Sequence, residues 1–84
     1  MSDLEKQRIV ELATRYLEPH QPAAYRLNVL KDRVRQSGEW IYVPVEATDS
    51  DAPSYDYYGR LAEAEIALED AEEANLLFIP VRSN

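Results

Sequence analysis

The sequence predicts an α+β domain in two layers, with element order α-β-β-α-β, a three-stranded sheet of strand order 2-1-3, and both helices on one face. Three observations lead there. Residues 2–18 and 54–73 repeat apolar side chains at three- and four-residue steps, the period of an amphipathic helix. Residues 24–35, 40–46 and 76–81 carry alternating or continuous apolar runs of strand length. Two of those runs contain a proline, which lacks the N–H that a central strand donates. The proline-free first strand is therefore assigned to the centre and the other two to the edges. Strand 2, helix and strand 3 then form a crossover between parallel strands.

The first helix opens on Ser2 and Glu5, which have capping-box spacing. Ile9, Leu12, Ala13, Tyr16 and Leu17 form its apolar stripe, with Val10 on the flank, and Pro19 ends it. In the first strand Tyr25, Leu27 and Val29 lie on odd positions, whereas Leu30 and Val34 lie on even ones. A regular strand cannot exchange its buried face, so a bulge or bend is expected near residues 29–32. "QSGE" reads as a hairpin turn, with Gly38 free to take positive φ. In the second strand Ile41, Val43 and Val45 share one face and Trp40 and Tyr42 the other. The branched aliphatic set is the better core set, which leaves Trp40 and Tyr42 on the open face beside Arg33 and Arg35, either as an exposed aromatic cluster or with Trp40 packed under the 47–53 loop.

After the loop "ATDSDAP", Pro53 suits the start of the second helix. Tyr57, Leu61, Ala64, Leu68 and Ala71 form its core stripe, and Tyr55, Tyr58, Ala62 and Ile66 form a second facet. Gly59 lies inside this helix, where it either permits close packing or marks a frayed first turn. The acids at the helix's C-terminal end oppose its dipole and favour fraying there.

The 84 residues read as a single domain, 1–84. With no cysteine, disulfides, thiolate nucleophiles and cysteine-based metal sites are excluded, which fits a reducing cytoplasm. No apolar run has the length of a membrane span, and the N-terminal stretch does not read as a signal peptide. The net charge of −7 argues against nucleic acid as a partner. The charge is also segregated. Residues 26–35 carry Arg26, Lys31, Arg33 and Arg35 against Asp32, whereas residues 39–73 carry eleven acids against Arg60.

Catalytic and cofactor motifs are missing from the sequence. His20 is the only histidine, set between two prolines, and reads as a solvated loop residue. Two glycines cannot build a phosphate-binding or dinucleotide loop, and no G-x-S-x-G elbow occurs. Asp49, Asp51 and Asp56 alternate as in a calcium loop, but no glycine stands sixth and Arg60 occupies the twelfth place. The expectation is a non-enzymatic protein with no metal and no cofactor.

The segment "WIYVPVEATDSDAPS", residues 40–54, locally resembles the recognition region of colicin-type nuclease immunity proteins: a tyrosine-bearing element, an acidic loop and a helix start. That resemblance implies an all-helical fold, a basic nuclease as partner, and Tyr42, Asp49, Asp51 and Ser54 as contact residues. The family's paired tyrosine is here Tyr42–Val43. As a whole the chain resembles a family of short bacterial proteins of unknown function built on W-x-Y-V-P-V … Y-x-Y-Y-x-x-L-A-E-x-E, here Trp40 to Val45 and Tyr55 to Glu65. That second resemblance implies a fold and no activity.

The reading reached from the sequence is a small acidic, cytoplasmic protein–protein interaction module. Trp40 and Tyr42 on the sheet, and Tyr55, Tyr58 and Ile66 on the second helix, are its contact residues. Asp49, Asp51 and Glu69 form an acidic rim that steers a basic partner. A homodimer through the strand edges, an inhibitor of a basic nuclease, and a small-ligand or RNA site on the open sheet face are the alternatives.

Overall fold

The computed structural model describes residues 2–48 and 53–82. Helix α1 spans Asp3–Leu17, with Ser2 as its N-cap; the Glu5 N–H donates to Ser2 Oγ at 3.2 Å. Pro19 falls inside a 3-10 turn, Glu18–His20, that closes the helix. Strand β1 is Leu27–Val29, a second 3-10 turn covers Lys31–Arg33, and strand β2 is Arg35–Ser37. The expected bend is this second turn. It changes the inward parity from Leu27 and the partly buried Val29 to Val34. Strand β3 is Trp40–Ala47, helix α2 is Ser54–Glu72 and strand β4 is Leu76–Arg82. Gly38, at φ +61°, is the first turn residue of the β2–β3 hairpin, as a type II′ turn requires.

The α+β class stands. The fold is not the all-helical one that the resemblance to nuclease immunity proteins implies. Strand order differs from the expected 2-1-3, because β3, not the first strand, is the hub of the sheet. It pairs antiparallel with β1 (Val29 opposite Val45) and with β2 (Arg35 opposite Tyr42). On its other side it pairs in parallel with β4 over seven positions, from Ile41–Leu76 to Ala47–Arg82.

Pro44 therefore sits in the central strand, and the reason is local. Its carbonyl accepts the Leu30 N–H at 2.9 Å on the β1 side. A residue's N and C=O point to the same strand edge, so the proline nitrogen faces the Lys31–Arg33 turn, where the neighbouring strand is interrupted.

Val43, Val45 and Ala47 of β3, Leu27 of β1, and Leu76 and Phe78 of β4 form one core with Ala13 and Leu17 of α1 and Tyr57, Leu61, Ala64 and Leu68 of α2. Both helices thus cover the same sheet face. Ala71, expected on the core stripe, is exposed. Gly59 is helical, and a Cβ added there would meet nothing within 4 Å, so no close packing inside the chain requires it.

Tyr57 is fully buried, and its hydroxyl enters the space between β3 and β4. It accepts the Val81 N–H at 2.9 Å and donates to the Val45 carbonyl, with the Val81 carbonyl at 3.0 Å. Both outer edges of the sheet are also occupied by side chains. The Gln21 amide bonds both the N–H and the C=O of Leu27, each at 2.9 Å. The Phe78 N–H donates to Glu65 Oε1 at 2.9 Å, and Pro80 has no N–H to offer. The edge route to a homodimer is occupied at these positions.

The α2 helix ends with Glu73 in the left-handed region at φ 53°, its N–H bonded to the Glu69 carbonyl at 2.9 Å. The helix is regular up to this cap. A residue other than glycine in that conformation costs about 1–2 kcal/mol.

Two stability predictions follow from these contacts. Tyr57→Phe leaves buried strand groups unpaired and should lower the urea unfolding free energy by about 1–3 kcal/mol with the far-ultraviolet circular dichroism unchanged; an unaltered midpoint would contradict the bridging role. Glu73→Gly relieves the left-handed strain and removes one acid from the helix C-terminus. It should raise stability by about 1 kcal/mol, read as a higher thermal midpoint.

Candidate functional site

The β3–β4 register divides the strand side chains between two faces. Opposite the helices, β3 presents Trp40, Tyr42, Pro44 and Glu46, and β4 presents Leu77, Ile79 and Val81. Arg35 lies opposite Tyr42, and its guanidinium carbon stands 5.6 Å from the Tyr42 ring centroid, within cation–π range. Arg33, Arg35, Tyr42, Pro44, Ile79 and Val81 line an open depression of about 390 Å³. Its floor is apolar and its rim on the β2 side is cationic. Trp40 stands at the hairpin end of this face, 40% exposed. The expected placement of Trp40 and Tyr42 on the open face, beside Arg33 and Arg35, is the placement observed.

The remaining expected contact residues lie elsewhere. Tyr55 (84% exposed), Tyr58 (49%) and Ile66 (58%) project from α2 in the other layer. Tyr58 lines a small groove of about 140 Å³ with Ala62, Glu65 and Pro80, and its ring packs edge-on against Tyr57 at 5.5 Å. Glu69 is exposed near the C-terminal end of α2, on a different layer from the sheet depression. Asp49 and Asp51 lie outside the described residues. The described contact residues therefore form two surfaces, and Glu69 does not lie beside the sheet aromatics. Leu77, Ile79 and Val81 are the contributors that sequence reasoning missed. "LLFIPV" is apolar on both faces, so periodicity could not separate its outward residues.

A second polar cluster joins the 18–25 segment to the first half of α2. The Tyr25 hydroxyl donates to Asp56 Oδ2 at 2.6 Å, and Arg60 Nε donates to the same oxygen at 2.9 Å. Arg60 also donates to the His20 carbonyl at 2.9 Å, and His20 Nδ1 lies 3.3 Å from Glu63 Oε2. His20 is thus part of a half-buried turn packed on α2, which corrects its reading as a solvated loop residue. Burial, and then the hydrogen bond to the Asp56 carboxylate, push the Tyr25 phenol up to about 12. The Tyr25 hydrogen bond, and then Arg60, hold Asp56 below the usual carboxylate range. Each side chain of the cluster has a partner within the chain, so the cluster acts as a clamp between α2 and the segment leading into β1.

Among the described residues no group of His, Asp and Glu is placed to hold a metal ion, and no helix is long and apolar enough to cross a membrane. Comparison with protein-family models, curated proteins and solved structures returned no match to this chain.

The clamp has a defined pH signature. Tyr25 favours its neutral form in the folded state, so its contribution is complete below about pH 10 and is lost as pH rises towards 12. Asp56 favours its ionised form, so its contribution is present above the ordinary value of 3.8 and is lost as pH falls below it. Tyr25→Phe should flatten the alkaline limb of a stability–pH profile and weaken the acid limb, because Tyr25 is the main cause of the Asp56 shift. Ultraviolet titration should show the tyrosinate that forms near pH 12 in the wild type missing from the variant. An alkaline limb of the same slope in both proteins would rule the clamp out.

Proposed function

We propose that this protein is a non-enzymatic protein–protein interaction module whose contact surface is the open sheet face. The observation that carries this reading is the depression floored by Tyr42, Pro44, Ile79 and Val81 and rimmed by Arg33 and Arg35. An aromatic and aliphatic floor with guanidinium groups at its edge has the composition of an interface centre. The occupied edge positions at Leu27, Phe78 and Pro80 favour face-on docking over strand addition. The rim selects a partner that presents apolar side chains together with carboxylates. It thereby revises the basic partner expected from the chain's overall charge, since local charge at the contact decides pairing.

The test is capture and affinity measurement with the wild type, the double variant Tyr42→Ala/Ile79→Ala, and the double variant Arg33→Glu/Arg35→Glu, each first shown to be folded. A partner held by the wild type should lose more than about tenfold in affinity with the apolar variant. It should bind the charge-reversed variant more weakly still at low salt than at high salt. A partner that binds all three proteins equally would place the contact surface elsewhere.

A further inference from the structure

We infer that the open sheet face takes an acidic amphipathic helix of a partner protein, laid along β3 with its carboxylates over Arg33 and Arg35. The inference rests on the sheet-face reading above and adds the form and charge pattern of what docks there. Sheets built from parallel strands are as a rule covered by helices on both faces, and strands covered twice read as continuous apolar runs. Here β3 and β4 pair in parallel over seven positions, and β4 runs through Leu76, Leu77, Phe78 and Ile79 without a polar residue. Yet α1 and α2 both pack on the inner face. Leu77, Ile79 and Val81 of β4 and Tyr42 of β3 are left half-buried on the outer one. The strand has the composition of a layer with a helix on each side, and the described residues supply helices to one side.

The docked element is a helix because a sheet face offers side chains alone. An extended segment laid flat on it would bury its own N–H and C=O groups without partners, whereas a helix satisfies them internally. Strand addition is opposed at Leu27, Phe78 and Pro80, where the edges are occupied. The eight residues of β3 span about 26 Å, room for about four helical turns. Charge sets which helix. Tyr42, Pro44, Ile79 and Val81 face its apolar stripe, and Arg33 and Arg35 stand along one flank. Both arginines are exposed, and among the described residues neither is paired with a carboxylate. Val34 between them is extended and points into the core, so their Cα atoms stand about 6–7 Å apart. Carboxylates at i and i+4 of a helix lie about 6 Å apart along its axis, one for each guanidinium. Asp32 does not neutralise the pair, because it lines a separate hollow with Asp3, Lys6 and Val10 of α1. Glu46, further along β3 on the open face, repels carboxylates and confines the partner's acids to the stretch over the two arginines.

The experiment is selection of random displayed peptides of about 16 residues, four helical turns, on the full chain, followed by affinity measurement with synthetic tryptophan-free copies. Variants of the chain are first shown to be folded by circular dichroism. The chain's only tryptophan, Trp40, stands at the hairpin end of this face, so its emission reports coverage directly. The selected peptides should share apolar residues at three- and four-residue steps with acids at i and i+4. They should turn helical on binding and shift the Trp40 emission to the blue. Arg33→Glu/Arg35→Glu, at exposed positions, should weaken them by about tenfold or more, and exchanging both peptide acids for Lys should restore binding to that variant. Peptides of alternating pattern that bind without forming helix, and are lost with Tyr42→Ala/Ile79→Ala, overturn the helix and leave the sheet-face reading standing. Peptides that bind every variant equally, or a selection without binders, overturn both. A wild type that dimerises in sedimentation equilibrium, where Tyr42→Ala/Ile79→Ala stays monomeric, gives the face to a second copy and overturns the acidic partner helix.

Discussion

The fold depends on one buried hydroxyl. Tyr57 lies on the core stripe of α2, yet its oxygen reaches past the apolar layer to backbone groups of β3 and β4. Parallel strands need a crossover to join them, and α2 is that crossover. The side chain that pins the crossover helix also joins the two strands it connects, near their C-terminal ends. An error in helix height or register would leave the hydroxyl and the strand groups unpaired in the interior, where each costs about 1–3 kcal/mol. That penalty couples three elements that are otherwise held by non-directional apolar contact.

Much of this architecture was legible in the sequence, and its main misreading is instructive. The parity change between Val29 and Val34 located the break in the first strand, and the break is there as a 3-10 turn. Pro44, read alone, predicts an edge strand. A proline needs only that no acceptor stand opposite its nitrogen, and an interrupted neighbour meets that need inside a sheet. The two observations concern the same place. The gap opened at Lys31–Arg33 is what admits Pro44 to the central strand β3. The Tyr25–Asp56–Arg60–His20 clamp had no comparable signal, because it unites residues up to 40 positions apart without a shared motif.

The candidate surfaces show the same division between local and non-local information. Exposure of Tyr55, Tyr58 and Ile66 follows from the helical wheel, and the outward position of Tyr42 follows from strand alternation. Their separation into two layers follows from neither, since it depends on which face of the sheet the helices cover. The charge segregation along the chain acquires its meaning only here. The basic block ends at Arg33 and Arg35 on the sheet face, while the acids of residues 63–73 decorate the helix layer. A chain of net charge −7 thus presents two of its cations, Arg33 and Arg35, on the face that both helices leave open.

Two features of α2 oppose its own stability, and they differ in kind. Glu73 adopts the left-handed conformation because the chain must turn from the helix into β4, so its strain is a cost of the connection. Gly59 has no such reason: it is helical, exposed, and unconstrained by any neighbour, although glycine costs a helix about 1 kcal/mol relative to alanine. In an 84-residue domain, whose total stability is of order 5–10 kcal/mol, that is a substantial fraction. No contact among the described residues offsets that cost.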